Sequence, residues 1–332
     1  MVSSKHNSLG RIRKRISEEL HSTREIAKVV SFPKAMSTFV GKIDIQLMVR
    51  SGEVETTHYK KHLLKKHKVM NQYFSKTIPV VPLVRNEELS PVNEALKGCV
   101  WVCWWQGLDN APDIVKACVE SINAKVGNHR VIVITEENVD QYVSFPKVMM
   151  DKYKAGIVTR THLSDYLRLE LLSRYGGLWL DSTFFCTSNI EFVFNLPLWS
   201  IKRPDYLHIS VASGQFANYS FACDEEHRWI FATLRDYLLA YWKKYDYMVD
   251  YLFLDYLIVK AIQDYREIAK VFSKIPPNNP NCDELLKVLS KQYDVQKWNE
   301  LIKDTNLFKL TWKKSFEKEV DGQLTFYGKI VS

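Results

Sequence analysis

The chain has 332 residues, of which 46% are hydrophobic and 25% charged, with a formal net charge of +8 and an isoelectric point near 9.0. This balance fits a soluble globular protein of one large domain, or of one domain with a substantial extension; no run of about 18 apolar residues is present to form a transmembrane helix. The basic excess points to an anionic partner: a nucleotide-linked ligand, an anionic lipid head group or a nucleic acid.

Residues 1–90 read as a basic, mainly helical N-terminal extension. Basic runs at Arg11-Ile12-Arg13-Lys14-Arg15, Lys60-Lys61-His62 and Lys65-Lys66-His67-Lys68 lie among short helical patterns, with Leu63, Leu64, Val69 and Met70 beside the last. Such a segment can lie on an anionic membrane surface or bind a partner, and it can equally be a solvated helical extension. No zinc-finger pattern or aromatic RNA-binding signature accompanies the basic runs, so no nucleic-acid partner is expected. Pro79-Val80-Val81-Pro82 reads as a linker into the next domain. Residues 1–20 lack the apolar core of a signal peptide. The six cysteines (Cys99, Cys103, Cys118, Cys186, Cys223 and Cys282) form no Cys-x-x-Cys pair and no zinc-spaced cluster. Buried reduced thiols in a reducing compartment are expected, which predicts a cytoplasmic location and leaves open a peripheral place on the inner face of the membrane.

From Gly98 the pattern becomes α/β, and residues 91–332 read as one domain. Cys99 to Trp105 is a buried strand by its apolar run, Ile114 to Ile122 a helix, and Val131-Ile132-Val133-Ile134 a second strand. This order begins a nucleotide-binding half-fold, whose ligand crevice forms from the loops after the strands. Trp104 and Trp105 end the first strand, where one can stack on a base or both can be core. No Gly-x-Gly-x-x-Gly or phosphate-loop lysine motif occurs, which argues against a dehydrogenase or an ATPase. Asn138 to Met150 reads as a loop and a short helix.

The centre of the chain is Thr161 to Thr183. Leu169, Leu172 and Tyr175 recur at helical spacing, Ser164 or Thr161 can cap the helix start, and Gly176-Gly177 ends it. Leu178-Trp179-Leu180 then runs apolar into Asp181, with Thr183-Phe184-Phe185 beyond. Asp165 and Arg168 share one helix face, and Asp181 stands at a strand end, where open α/β sheets carry functional carboxylates. A tight glycine turn would bring both acids and the guanidinium to one cleft. Carboxylates accept sugar hydroxyls, Arg forks onto phosphate, and a strand-end Asp can hold a divalent cation, so the set suits a sugar attached to a diphosphate. A solvated Asp–Arg pair is the plain alternative. His162 is read as a structural histidine rather than an acid or base.

Ser164-Asp165-x-x-Arg168…Gly176-Gly177-x-x-x-Asp181-x-Thr183 resembles the signature of sugar-nucleotide glycosyltransferases with the GT-A fold. It is most similar to the capsular polysaccharide synthesis protein family, a relative of glycosyltransferase family 32, and the glucosyltransferase domain of large clostridial toxins has the same acid-to-acid spacing. The resemblance extends from about Cys99 to the C-terminus. It implies a GT-A-like, Rossmann-type mixed sheet flanked by helices, and a bacterial enzyme of capsule or other surface polysaccharide synthesis. Asp165 and Arg168 would contact donor sugar and diphosphate, and Trp104 would meet the uracil of a UDP-sugar. Asp181 would be the first acid of the Asp-x-Asp motif and a ligand of Mn²⁺ or Mg²⁺. Thr183 replaces the second acid, which puts metal dependence in question, although the capsular family commonly has this threonine.

Beyond the motif, Ile190 to Ile201 is apolar with a break at Pro197, and Ser213-Gly214-Gln215 and Asn218-Tyr219-Ser220 are either turn residues or donors to sugar hydroxyls. Trp229 to Tyr245 and Asp283 to Gln292 read as helices, separated in part by the Pro-rich loop from Ile275 to Asn281. The acid–aromatic segment holding Asp255 resembles one in the capsular family; Asp255, Gln215 and Asn218 are assigned to the acceptor side. Phe308-Lys309-Leu310-Thr311-Trp312-Lys313-Lys314 resembles that family's closing motif, which places Lys309, Thr311 and Lys313 with the donor, the lysines neutralising the diphosphate. The last histidine is His227, so a C-terminal histidine ligand found in related transferases is missing. The expected reaction is transfer of a hexose from a nucleotide diphosphate sugar to a glycan or lipid-linked acceptor, with retention implied by the resemblance. Two other classes remain at this point, a nucleotidyltransferase and a non-catalytic glycan- or nucleotide-binding scaffold.

Overall fold

The computed structural model describes residues 3–51, 57–204 and 209–332, with side chains outside 3–15, 49–51 and 57–58. The basic run at 11–15 therefore lies outside the described side chains. Three helices come first: α1 (Ser3–Val29), α2 (Phe32–Ser51) and α3 (Thr57–Thr77). The α/β region follows as β1 (Val100–Cys103), α4 (Asp113–Asn123), β2 (Val131–Ile134), α5 (Lys147–Lys154), α6 (Arg160–Tyr175) and β3 (Gly177–Leu180). Then come β4 (Phe184–Cys186), β5 (Leu198–Ser200), β6 (Ser220–Cys223), α7 (Arg228–Lys244), α8 (Phe253–Asp264) and α9 (Arg266–Ser273). The chain closes with α10 (Glu284–Val288), α11 (Val295–Ile302), β7 (Leu307–Lys309) and α12 (Phe326–Val331). No described helix is long and apolar enough to cross a membrane.

The main sheet has five strands in the order β2-β1-β3-β6-β5. β1 runs parallel to β2 and β3, while β6 is antiparallel to β3 and β5, so the sheet is mixed, as the resemblance implied. Its centre is buried on both faces, which is why β1 and β3 read as continuous apolar runs. Side chains alternate across the pleat. Trp101 and Trp179 enter the core shared with α6, α7 and α8, whereas Val100, Val102, Leu178 and Leu180 enter the core shared with α4 and β4. Connections from β1 lead to β2 on one side and later to β3 on the other, so the switch point lies between β1 and β3, where the crevice outside the strand ends is expected.

Helix α6 begins at Arg160, with Thr159 and His162 forming a reciprocal cap; Thr159 stands two residues before Thr161 and five before Ser164. It ends at Gly176 (φ 65°), and Gly177 follows with φ 84°. A Cβ on Gly177 would lie 2.2 Å from the Cys99 carbonyl oxygen, so only glycine admits the close approach of β3 to β1. The helix read over Asp283 to Gln292 is shorter, since α10 spans Glu284–Val288.

The N-terminal helices share their core with the α/β region. Ile26, Ala35, Val69, Met70 and Phe74 belong to the cluster that contains Trp101 and Trp179. Phe74 stacks on Tyr256 at 5.5 Å, and Lys66 Nζ lies 2.9 Å from the Asp250 carboxylate, both side chains being buried. The lysine run thus divides: Lys60, Lys61, Lys65 and Lys68 are exposed and Lys66 is internal. On α2 the polar Thr38, Lys42 and Asp44 turn inward while Phe32, Met36, Val40, Ile43 and Leu47 are exposed.

Gly177→Ala combines a strained dihedral with a backbone clash, and it is expected to lower the melting temperature by roughly 5–10 °C or prevent folding. Gly322→Ala, also at positive φ but with open space around its Cβ position, should shift it far less in the same thermal scan.

Candidate functional site

A cleft of about 1160 Å³ opens at the ends of β1 and β3. Its lining includes Trp104, Trp105, Asp165, Arg168, Asp181, Thr183, Asn218, Asp255, Lys309, Thr311 and Lys313, brought from six separate segments of the chain. The volume exceeds that typical of drug-sized ligands, about 300–1,000 Å³.

Arg168 is the hub. It projects from α6 onto the Trp179 ring, its guanidinium carbon 5.4 Å from the ring centroid. Nη2 lies 3.4 Å from Asp165 Oδ1 and 3.6 Å from Asp181 Oδ1. Nη1 donates to the Asn218 backbone oxygen at 2.8 Å and to its side-chain oxygen at 2.9 Å. Asn218 in turn donates through Nδ2 to Asp255 Oδ2 at 2.8 Å. The helix-strand turn and the α8 face therefore converge through one guanidinium, and Asp165, Arg168 and Asp181 do meet as the spacing predicts.

The C-terminal tail supplies the second cation. β7 pairs antiparallel with β4, in register Phe184↔Lys309, and the Leu310 amide donates to the Thr183 carbonyl at 2.8 Å. That pairing fixes Lys309 beside the motif. Its Nζ donates to Asp181 Oδ2 at 3.2 Å and to Thr183 Oγ1 at 2.6 Å, and it sits over the rings of Phe184 and Tyr219.

The carboxylates divide electrostatically. Burial opposes the charge on Asp181, but Lys309, Arg168 and the Trp179 indole N–H outweigh it and hold the group below its ordinary value. Burial pushes Asp165 up to about 6, with Arg168 opposing the rise and Asp181 adding to it. Burial likewise pushes Asp255 up to about 7, with a further rise from Asp165. One ionised acid thus faces the two cations, while two others titrate near neutrality.

The remaining residues take various places. Trp104 is half-buried, edge-on to Trp312 with centroids 5.6 Å apart, and Trp105 donates through Nε1 to Ser164 Oγ at 3.0 Å. Thr311 and the exposed Lys313 stand at the cleft rim, joined by a Lys313 N–H to Thr311 Oγ1 bond. Gln215 is exposed in a turn whose amide bonds the Ala212 carbonyl, and it does not line the cleft. His162 accepts the Thr159 amide at Nδ1, packs on Trp242 and Phe253, and is pushed down to about 4 by burial, which suits a structural role. Arg203 has no place in the sequence reading, whereas Tyr219 and Trp312 stand there within longer segments without a role of their own. Arg203 Nη1 pairs with Asp283 at 2.8 Å and Nη2 donates to the Tyr219 hydroxyl, while the Tyr219 carbonyl accepts the Asp181 amide. The positive pair Lys202-Arg203 after an apolar strand was the signal available for this third cation.

The model of the family described as capsular polysaccharide synthesis protein matches residues 51–330. Among curated proteins, the O-glycosyltransferase PaGT of Phomopsis amygdali is 28% identical over 106 residues, covering 29% of this chain and 26% of that protein. The O-glycosyltransferase braB of Annulohypoxylon truncatum is 28% identical over 101 residues, covering 28% and 24%. The chain thus spans about a quarter of the length of these relatives. Among solved structures, the WbbM bifunctional glycosyltransferase in its apo form aligns with a TM-score of 0.39 and 14% identity, over 87% of this chain and 61% of that one.

The raised Asp255 fixes a pH dependence. A folded-state value above the unfolded one means that its contribution to stability is fully present below about pH 4 and lost as pH rises through about 7. Asp255→Asn should therefore match the wild type in acid and exceed it by up to about 2–4 kcal/mol at pH 8, read from denaturant midpoints across pH.

Proposed function

Because the chain belongs to the capsular polysaccharide synthesis protein family and is glycosyltransferase-like, we propose that it transfers a hexose from a nucleoside diphosphate sugar, of the UDP class, to a glycan or lipid-linked acceptor, with retention of anomeric configuration. The observation that carries this reading is the convergence of Arg168 and Lys309 on Asp181 at the strand ends. Two fixed cations in a half-buried cleft suit the charge that develops on a departing diphosphate, and preorganised charge of this kind is a large contribution to catalysis.

The reaction follows from the roles. The bond between the anomeric carbon and the β-phosphate oxygen breaks with its electron pair on the phosphate, and the new bond forms to the acceptor oxygen, whose proton passes to the leaving phosphate. Arg168 and Lys309 offset the phosphate charge. Asp165 and Asp255 accept hydroxyls of the sugars when ionised and donate to them when protonated. Trp104 or Trp105 offers an aromatic face to the base. Retention rests on the family resemblance together with same-face displacement, in which the leaving phosphate is the base.

Asp181→Asn removes the acid that both cations contact while preserving shape. It should reduce release of the nucleoside diphosphate at least 100-fold, about 2.7 kcal/mol of transition-state stabilisation, in a variant that still folds but melts at a lower temperature, because two cations lose their anion. Full activity in a folded variant would remove Asp181 from the site.

The exposed lysines of α3 and the apolar outer face of α2 support a seat on an anionic bilayer, close to a lipid-linked acceptor. Vesicles containing phosphatidylserine should then sediment the chain and release it at about 0.5 M salt, where surface charge is screened. Equal binding to neutral vesicles would reject the electrostatic part.

A further inference from the structure

At the Asp-x-Asp position a divalent cation would find one carboxylate, Asp181, and a lysine already on it. Mg²⁺ and Mn²⁺ seek several hard oxygen ligands, usually with carboxylates among them. No group of three or more His, Cys, Asp or Glu side chains able to hold a metal occurs among the described residues. Thr183 stands two residues beyond Asp181, where a second acid would be, and its hydroxyl already receives the Lys309 ammonium at 2.6 Å. The same ammonium is 3.2 Å from Asp181 Oδ2. A cation bridging Asp181 and Thr183 would therefore have to displace a lysine that the β4–β7 register holds in place.

We infer that the Lys309 ammonium occupies the role of the divalent cation, so that a nucleoside diphosphate is bound, and its leaving charge offset, without metal. This rests on the glycosyl-transfer reading above and specifies how that site meets the diphosphate. An ammonium carries three N–H donors. Asp181 and Thr183 take two, and the third is available to a phosphate oxygen. The rings of Phe184 and Tyr219, with centroids 5.4 and 5.6 Å from Nζ, favour a cation there and limit its wandering. Asp181 then acts as a positioning residue for Lys309, and Arg168 takes the other side of the diphosphate, a division suited to its planar fork.

The test is calorimetric titration of the full chain with UDP and, separately, GDP, each in a chelator and in Mn²⁺. The affinity for UDP should agree within about 3-fold between the two conditions. Lys309→Ala should weaken it about 10-fold or more in both, as expected for loss of a charged hydrogen bond, while Lys309→Arg should keep most of it. The double variant Thr183→Asp with Lys309→Ala restores an Asp-x-Asp pair and should bind UDP at least 10-fold more tightly with Mn²⁺ than without. A wild-type affinity that needs Mn²⁺, or a folded Lys309→Ala variant that binds UDP as the wild type does, overturns the inference and leaves glycosyl transfer standing. No binding of either nucleotide under either condition overturns the glycosyl-transfer reading, and the inference with it.

Discussion

Everything in the cleft depends on one backbone contact. Gly177 lets β3 lie against β1 closely enough for the Leu178 amide to reach the Cys99 carbonyl at 3.0 Å, in a dihedral region that other residues adopt only under strain. The same turn reverses the chain straight out of α6, so the strand end returns beside the helix start. Asp181 and Arg168, thirteen positions apart in sequence, are thereby placed within 3.6 Å. Arg228 secures the outgoing helix by donating to the carbonyls of Ser173 and Arg174, groups that the helix itself leaves without partners.

Charge is then distributed by depth and partner rather than by residue type. Of the cleft carboxylates Asp165, Asp181 and Asp255, Asp181 is the one that lies between two cations and is held below its ordinary value. Asp165 contacts Arg168 but is buried, and Asp255 reaches Arg168 only through Asn218, so desolvation governs both. The arrangement resembles other sites in which neighbouring carboxylates are driven to different protonation states, and it gives the cleft both hydrogen-bond donors and acceptors near neutral pH.

The helix, the glycine stop and the strand from Arg160 to Leu180 were legible because each has a local signal: 3.6-residue spacing, paired glycines and an apolar run. So was the convergence of Asp165, Arg168 and Asp181, which needs only a tight turn. The helix cap is Thr159, two residues before Thr161 and five before Ser164, because a Thr–His reciprocal cap lacks the usual Ser/Thr-to-Glu/Gln signature. Lys309 was assigned to the donor by resemblance, but its bonds to Asp181 and Thr183 depend on pairing between strands more than 120 residues apart, for which no local signal exists. Gln215 shows the converse: a residue type suited to sugars lies in a turn facing solvent, since composition does not give direction.

The buried link between Lys66 and the α8 region also sets a timetable. Lys66 and His67 bond to the Tyr256 hydroxyl, contacts spanning 190 and 189 residues. On a ribosome adding about 5–20 residues per second, the N-terminal helices wait roughly 10–40 s before the partner of their internal lysine exists. Through that interval Lys66 lacks Asp250 and Phe74 lacks the Tyr256 ring, so α3 cannot complete its packing until α8 has been made.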